Sequence, residues 1–529
     1  MVAATNTTRV VLVGFENQEN LGLRYLSSCL KQAGHQTHLV NITNGPEDVL
    51  KAIQTFQPHV VGFSLIFQYF VPHFATLLAY LRSKGITTHF TMGGHYASFE
   101  PQVVLEKIPE LDSVVRFEGE DALLELTERV AAGLPWNCLP GIAFRGSEGI
   151  VISTTRPGRE NLDSLPWPDR DDIHYEAQKL PTASMLGSRG CPWHCSFCSI
   201  ITFYEGNGTK GRRCRDPIKV VDELEYLHQK RGVRIILWQD DDFLSGGKVG
   251  ITWAHTIANE CIKRGLHKGL RWKISCRSDE VSKEALEPLV AAGLTHVYMG
   301  IESGDPDNLK NLNKHLKPEA HIQAGKVLRQ LGLSFDFGFM LLEPWSTFAT
   351  VRNNIAFLRE FAGDGAAAVS FCRTLPYTGT PLTARLKAEG RLLEKDFNVD
   401  YYFLDPQLNI FYNWLLNTLS DRNFSASGTA NQLRLLLFEA HINMPDRPVD
   451  PEFQQWVWSL TSLANRILLD TIETALDHIE FQNPTITDDS TLETLKMYYA
   501  AEDDRLRQDL NILVQRCPDI QERLHLIYS

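Results

Sequence analysis

No stretch of the chain reaches the roughly 20 apolar residues that a bilayer-spanning helix needs. The apolar run Phe74–Leu81 is closed by Arg82 and Lys84. Positive charge is also scarce, since 52 Lys and Arg against 64 Asp and Glu leave a formal net charge of -12. That balance offers no basic field for a phosphate backbone, so no nucleic-acid partner is expected. The first residues, "MVAATNTTRVVLVGFENQEN", lack a basic segment followed by an apolar one and enter a strand pattern directly, which predicts a cytoplasmic protein with no membrane span. Ten cysteines in 529 residues are too few for a disulfide scaffold. Most stand alone, and Cys29, Cys138, Cys261, Cys276, Cys372 and Cys517 are expected as buried thiols. Internal repeats and low-complexity tracts are absent as well, so a chain of this length divides into about three ordinary domains.

What is present is a rhythm. Between residues 9 and 133, β-branched runs such as "RVVLVG", "HVVGFSLI" and "THFTMGG" alternate five times with amphipathic stretches. This pattern predicts a doubly wound parallel sheet covered on both faces, with ligands at the carboxyl ends of its strands. A Pro, Gly and Asp-rich segment containing "LPWPDRDDIHY" interrupts the rhythm and reads as a linker with a small hairpin. Six further units follow, from "SMLGSR" to "AAAVSFCR", which suits a partial (β/α)6 barrel with its active face at the strand ends. From about 398 the pattern turns helical and strand signals vanish, the longest candidate being "FQQWVWSLTSLANRILLDTIETALDHI". The expected α/β organisation is therefore 1–140, a linker 141–182, a barrel 183–397 and a helical region 398–529.

"RGCPWHCSFCSI" places Cys191, Cys195 and Cys198 directly after the first strand of the second region. A structural zinc site wants four ligands, and no second Cys-x-x-Cys pair follows; His194 could complete a set only under strain beside Cys195. Three thiolates on a four-iron cluster leave one iron open, which suits a cluster that binds substrate. The loop resembles that of the radical S-adenosylmethionine (SAM) superfamily, whose open iron chelates SAM, and Phe197 matches the aromatic residue found before the last cysteine.

The resemblance extends along the barrel. "LWQDDDF" brings Asp240, Asp241 and Asp242 to a strand end, where the family faces the SAM amino group. "MGIESG" places Glu302 and Ser303 like the family's contacts to the ribose and carboxylate, and Arg277 in "KISCRSD" could meet that carboxylate or form a surface ion pair. The preceding doubly wound domain resembles the cobalamin-binding domain of cobalamin-dependent radical SAM enzymes, through "SLIFQYF", "MGGHYAS" and "FEGED". The resemblance implies cobalamin contacts at Ser64, Gly93, Gly94 and Glu118. The Asp-x-His-x-x-Gly motif that supplies a cobalt ligand elsewhere is replaced by "ENQENLGLRYL", so Asn20 and Leu21 are expected at the lower face of cobalt, with His35, His38 and His95 as stray histidines.

The implied cofactors are a [4Fe-4S] cluster, SAM and cobalamin, and the implied activity is methylation of an unactivated carbon through methylcobalamin and a 5'-deoxyadenosyl radical. A cobalamin-dependent cyclase or ring-contraction enzyme is the competing expectation, and a non-catalytic metal protein the third. A peptide or natural-product substrate and an electron donor such as flavodoxin or ferredoxin complete the implied partners. "KGRRCRD", residues 210–216, could attract an acidic group or be ordinary surface charge, and the aromatic stretch "DYYFLDPQLNIFYNW" could close the barrel mouth or recognise substrate.

Overall fold

The structure is a computed structural model that describes residues 7–16, 19–178, 180–444, 448–482 and 489–516. Cys517 lies outside the described residues.

Strands β1 (Arg9–Gly14), β2 (Gln36–Asn41), β3 (Val60–Ser64), β4 (His89–Gly93) and β5 (Ser113–Val115) form a parallel sheet in the order 2-1-3-4-5. The hairpin β6 (Ile142–Gly146) and β7 (Gly149–Ile152) continues the same sheet, antiparallel from β5. Side-chain alternation along β1 explains the two covering layers. Val10 and Leu12 pack with Leu23, Leu30 and Leu123 of helices Leu21–Gln32 and Glu120–Ala131. Val11 and Val13 pack on the other face with Val49, Ile53, Phe74 and Leu81. Strand order reverses between β1 and β3, and the carboxyl ends beside that switch point are where such a sheet opens a crevice.

The second sheet is parallel throughout. It runs β8 (Thr182–Met185), β11 (Ile235–Trp238), β12 (Arg271–Arg277), β13 (Leu294–Glu302), β14 (Ser334–Leu342) and β15 (Cys372–Arg373) in spatial order. The expected first strand is broken: after β8 the chain turns through Leu186 and Gly187 into β9 (Ser188–Arg189), which pairs antiparallel with β10 (Arg213–Cys214). Ile236 and Trp238 face the outer helices, whereas Ile235 and Leu237 face inward against Leu433 and Leu437 of helix Thr429–Glu439. The carboxyl-terminal helices thus fill the open inner side of this half-barrel. Arg434 donates to the Phe337 carbonyl at 3.3 Å, and Phe438 lies 5.3 Å from the His296 ring.

Two expectations need correction. Strand signals do not end at 398, because β16 (Leu392–Lys395) and β17 (Asn398–Tyr401) form a hairpin. Its turn residues Asp396 and Phe397 both have positive φ, 50° and 67°, without the glycine that normally announces such a turn. Cys138 is exposed rather than buried, since the turn after the helix that ends at Ala131 leaves its thiol at the surface, and Cys372 at the start of β15 is half-buried.

Candidate active site between the two sheets

A cavity of about 310 Å³ opens at the carboxyl ends of β1, β3, β4 and β5. Asn20, Ser64, Gly93, Gly94 and Glu118 line it, together with Leu12, Leu23, Met92 and Val115. Leu21 is buried in the first helical turn and is not part of the wall. Asn20 caps its helix, accepting from the Leu23 amide at 3.2 Å while its own amide donates to the Phe15 carbonyl at 3.1 Å. Gly94 has φ +102°, and a β-carbon there would stand 2.4 Å from the Leu65 carbonyl oxygen, so the turn itself demands glycine. The opposite wall comes from the second sheet's connections, namely Leu186, Arg189, Phe203 and Tyr204.

His95 also faces this cavity, stacked on Phe203 at 4.1 Å, and burial pushes its imidazole down to about 4. It is therefore neutral at physiological pH. The other two stray histidines are structural: His35 is buried near Glu128, and His38 lies against Phe56.

The three-cysteine loop follows β9 and precedes helix Ile200–Gly206. It is pinned from three sides. Gly190 N donates to Asp241 at 2.8 Å, Ser196 N to the Leu312 carbonyl at 2.9 Å, and Leu382 N, beyond the last strand of the sheet, to the Ser196 carbonyl at 2.8 Å. Burial pushes the Cys191 thiol up to about 12, the Cys198 thiol up to about 11, and the Cys195 thiol upward too. As free thiols they are protonated, and a bound metal would strip those protons outright. Among the described residues no three Cys, His, Asp or Glu converge as a single metal ion requires. One thiol per iron of a multinuclear cluster needs no such convergence. His194 is exposed, with its carbonyl rather than its ring held by Asn313.

The three consecutive aspartates divide their work. Asp240 accepts from Gly187 N at 3.0 Å and from the Ser188 hydroxyl, and Asp241 holds Gly190, so both fix the approach to the loop. Asp242 differs. It is 2% exposed, and both its oxygens lack a nitrogen or hydroxyl donor. Its carboxyl meets that of Glu280, which burial and the Asp242 charge push up to about 9, so the proton of the pair resides on Glu280.

Arg277, at the end of β12, is buried instead of forming a surface ion pair. Its guanidinium lies 4.0 Å over the Trp193 ring of the cysteine loop, donates to the Lys314 carbonyl at 2.8 Å and to Asp279 at 3.1 Å, and leaves Nη1 buried without a partner. Glu302 sits at φ +68° beyond a register shift in β13 and pairs with Lys314 at 3.0 Å. A non-glycine residue held there is the kind of local strain that clusters at working sites. Ser303 is fully buried and satisfied, donating to Asn354 at 2.8 Å and accepting from Asp305 N at 3.1 Å. Phe197 packs partly buried against the barrel core.

Lys314, Trp193 and Glu280 belong to the same rim, Arg189 to the cavity wall beside it, and none of them carries a spacing signal in the sequence. An orphaned guanidinium nitrogen, and a buried carboxylate that shares one proton with Glu280 and has no nitrogen donor, fit on one rim a zwitterion that brings its own acceptor and donor. One buried and two half-buried thiols on a pinned loop fit a cluster, and the walled cavity fits the tail of a large cofactor.

Comparison with known proteins agrees with this reading. Residues 9–127 match the B12 binding domain family and residues 185–353 the Radical SAM superfamily. An uncharacterized methyltransferase of Pyrococcus horikoshii is 28% identical over 81% of this chain and 88% of its own length. The anaerobic magnesium-protoporphyrin IX monomethyl ester cyclase of Rubrivivax gelatinosus is 31% identical over 72% of this chain and 68% of its own. The solved structure of OxsB, a cobalamin-dependent S-adenosylmethionine radical enzyme with aqua-cobalamin and S-adenosylmethionine bound, shares the fold, with a TM-score of 0.73 at 16% identity over 98% of this chain and 83% of its own. With its B12-binding sheet, its open half-barrel and the three-cysteine loop between them, the chain belongs to the cobalamin-dependent radical SAM enzymes, whose cofactors are a [4Fe-4S] cluster, S-adenosylmethionine and cobalamin.

Proposed function

We propose that the protein transfers a methyl group to an unactivated carbon of a small-molecule or peptide substrate. The observation that carries this reading is the shared wall: Arg189, Phe203 and Tyr204 flank the cysteine loop and at the same time line the cobalamin cavity. When bound, the cluster and SAM supply hydrogen abstraction from carbon, and cobalamin supplies the methyl group. The chain's own residues bind, orient and exclude water. Cys191, Cys195 and Cys198 hold the cluster. Arg277 Nη1 donates to the SAM carboxylate and Asp242 accepts from its amino group, while Glu302, fixed by Lys314, meets the ribose. Asp240, Asp241 and Ser303 hold the backbone that presents these groups. Asn20, Ser64, Gly93 and Gly94 shape the recess for cobalamin. An electron donor such as flavodoxin or ferredoxin reduces the cluster, and the cytoplasm, where such donors are found, is the expected compartment. No helix among the described residues is long and apolar enough to cross a membrane.

The test is isotopic. Reduced, cofactor-loaded enzyme is incubated with methyl-deuterated SAM and a metabolite extract, and new masses are sought. A product carrying one CD3 in place of hydrogen, formed together with 5'-deoxyadenosine, is the expected result. A SAM-dependent product without deuterium overturns methyl transfer and supports the second reading, radical cyclisation, which the 31% identity to the Rubrivivax cyclase favours.

A further inference from the structure

Several buried ion pairs tie the first domain and linker to the barrel, but they differ in what else they touch. Arg170, 3% exposed, pairs with Glu19 at 3.3 Å and Glu223 at 2.9 Å and donates to the Ser184 carbonyl at 2.8 Å. It lies neither on the cavity wall nor on the cysteine loop. Arg189 touches both sites. One arm, Nη1, donates to Glu118 at 2.7 Å, and the other, Nη2, meets Glu120 at 2.7 Å. Its guanidinium lies 4.9 Å over the Tyr25 ring, and Tyr25, Glu118, Glu120 and Arg189 all line the cobalamin cavity.

In the chain, Arg189 is the last residue of β9, and Cys191 follows after a single glycine. That glycine sits in a close approach of two backbone segments: φ is +88°, and a β-carbon there would stand 2.3 Å from the Gly211 carbonyl oxygen. Its amide is held by Asp241, and β9 itself is paired to β10 through Arg213, which also binds Glu118 at 2.9 Å. Arg189 and these contacts therefore form a continuous path from the Glu118–Glu120 segment to the start of the cysteine loop.

We propose that Arg189 is a positioning residue that couples occupancy of the cobalamin cavity to the geometry of the cluster loop, so that each cofactor raises the protein's affinity for the other. Cobalamin filling the cavity fixes Tyr25, Glu118 and Glu120, which fixes the guanidinium and hence the start of the loop. By linkage the effect is reciprocal, because two sites that stabilise one shared arrangement must favour each other equally. The inference uses only the assignment of the two cofactor sites and is independent of whether methyl transfer follows.

The experiment is a cobalamin titration of the full chain, followed by visible absorbance, with the cluster assembled and with the cluster absent. The cluster is expected to tighten cobalamin by a factor within the usual range of coupling between sites, about five- to 150-fold. In Arg189→Lys, which keeps the charge and loses the two-armed grip, the factor falls to near one. Arg170→Lys lowers thermal stability and leaves the factor intact, as a purely structural pair should. Equal cobalamin affinity in the two wild-type forms overturns the proposal, and so does an Arg189→Lys protein that retains the factor. Should Arg189→Lys fail to fold, Glu120→Ala removes one arm and leaves the Glu118–Arg213 pair in place. A reduced factor there supports the coupling, and an unchanged one overturns it. A chain that binds no cobalamin in either form sinks the cavity assignment itself, a distinguishable failure.

Discussion

The cavity proposed for cobalamin and the barrel rim are adjacent, yet they are prepared for ligands in opposite ways. The cavity wall is mostly apolar, and among its polar members Asn20 and Glu118 are occupied within the protein. The rim keeps charge buried and incompletely satisfied, with Arg277 Nη1 lacking a partner and Asp242 held by the Glu280 carboxyl without a nitrogen donor. A void with settled walls selects by shape and by apolar area. A buried group without a partner carries a standing desolvation cost that a matching charge relieves. The first site should therefore respond to changes of backbone and volume, and the second to changes of charge.

The largest effect tests the premise shared by both sites. Replacing Cys191, Cys195 and Cys198 together by alanine should abolish the brown charge-transfer absorbance and all formation of 5'-deoxyadenosine, while cobalamin still binds, more weakly than in the loaded wild type. Next come the rim charges. Arg277→Met or Asp242→Asn removes one charge-assisted hydrogen bond to SAM, worth about 1.5–3 kcal/mol, so SAM affinity measured by calorimetry should fall roughly ten- to hundredfold. Cobalamin affinity in the same variants should change little. A comparable loss of both would erase the contrast between the sites.

Backbone changes should show the reverse pattern. Gly94→Ala forces a β-carbon against the Leu65 carbonyl at a positive φ, which costs about 1–3 kcal/mol. Cobalamin occupancy should drop and SAM affinity should hold. At Gly93 the added carbon would sit 3.3 Å from the Val115 carbonyl oxygen with φ unconstrained, so Gly93→Ala should be milder.

The same contrast marks what was legible in the sequence. The strand and helix rhythm revealed the doubly wound class of the first sheet and the six strands of the second, because strands buried on both faces are written as consecutive apolar residues. The cysteine loop was legible because its ligands lie within eight residues. Partners distant in sequence were not. Arg189 meets Glu118 from 71 residues away, and Lys314 reaches Glu302 from a loop with no motif of its own. The aspartate triplet was read as one acidic face, although the strand end turns Asp240 and Asp241 back onto Gly187, Ser188 and Gly190 and leaves Asp242 without a nitrogen or hydroxyl donor. The hairpin at 392–401 was missed because its two turn residues at positive φ are Asp and Phe, so the expected glycine signal is absent.

The smallest predicted effect contrasts two buried carboxylates. Glu118, on the cavity side, would be pushed up by burial, but the guanidinium groups of Arg189 and Arg213 outweigh it and hold the carboxyl below its usual value. Glu343, fully buried just past β14, has only neutral donors, Asn311 at 2.9 Å and Trp345 N at 3.1 Å, and burial pushes it up to about 7. The signs of their contributions to stability therefore oppose. Glu118 stabilises the folded chain above its unfolded value of 4.5, and that contribution is lost as pH falls through its lower folded value. Glu343 stabilises below 4.5, and its contribution is lost as pH rises through about 7. Thermal melts across this range should show Glu343→Gln flattening the neutral limb and Glu118→Gln flattening the acid limb, each by a few degrees, since about 1 kcal/mol moves the midpoint of a 150–250-residue domain by about 2–4 °C. If Glu118→Gln leaves the acid limb unchanged, the arginine pair is not holding that carboxylate charged, and the electrostatic half of the link between cavity and loop fails with it.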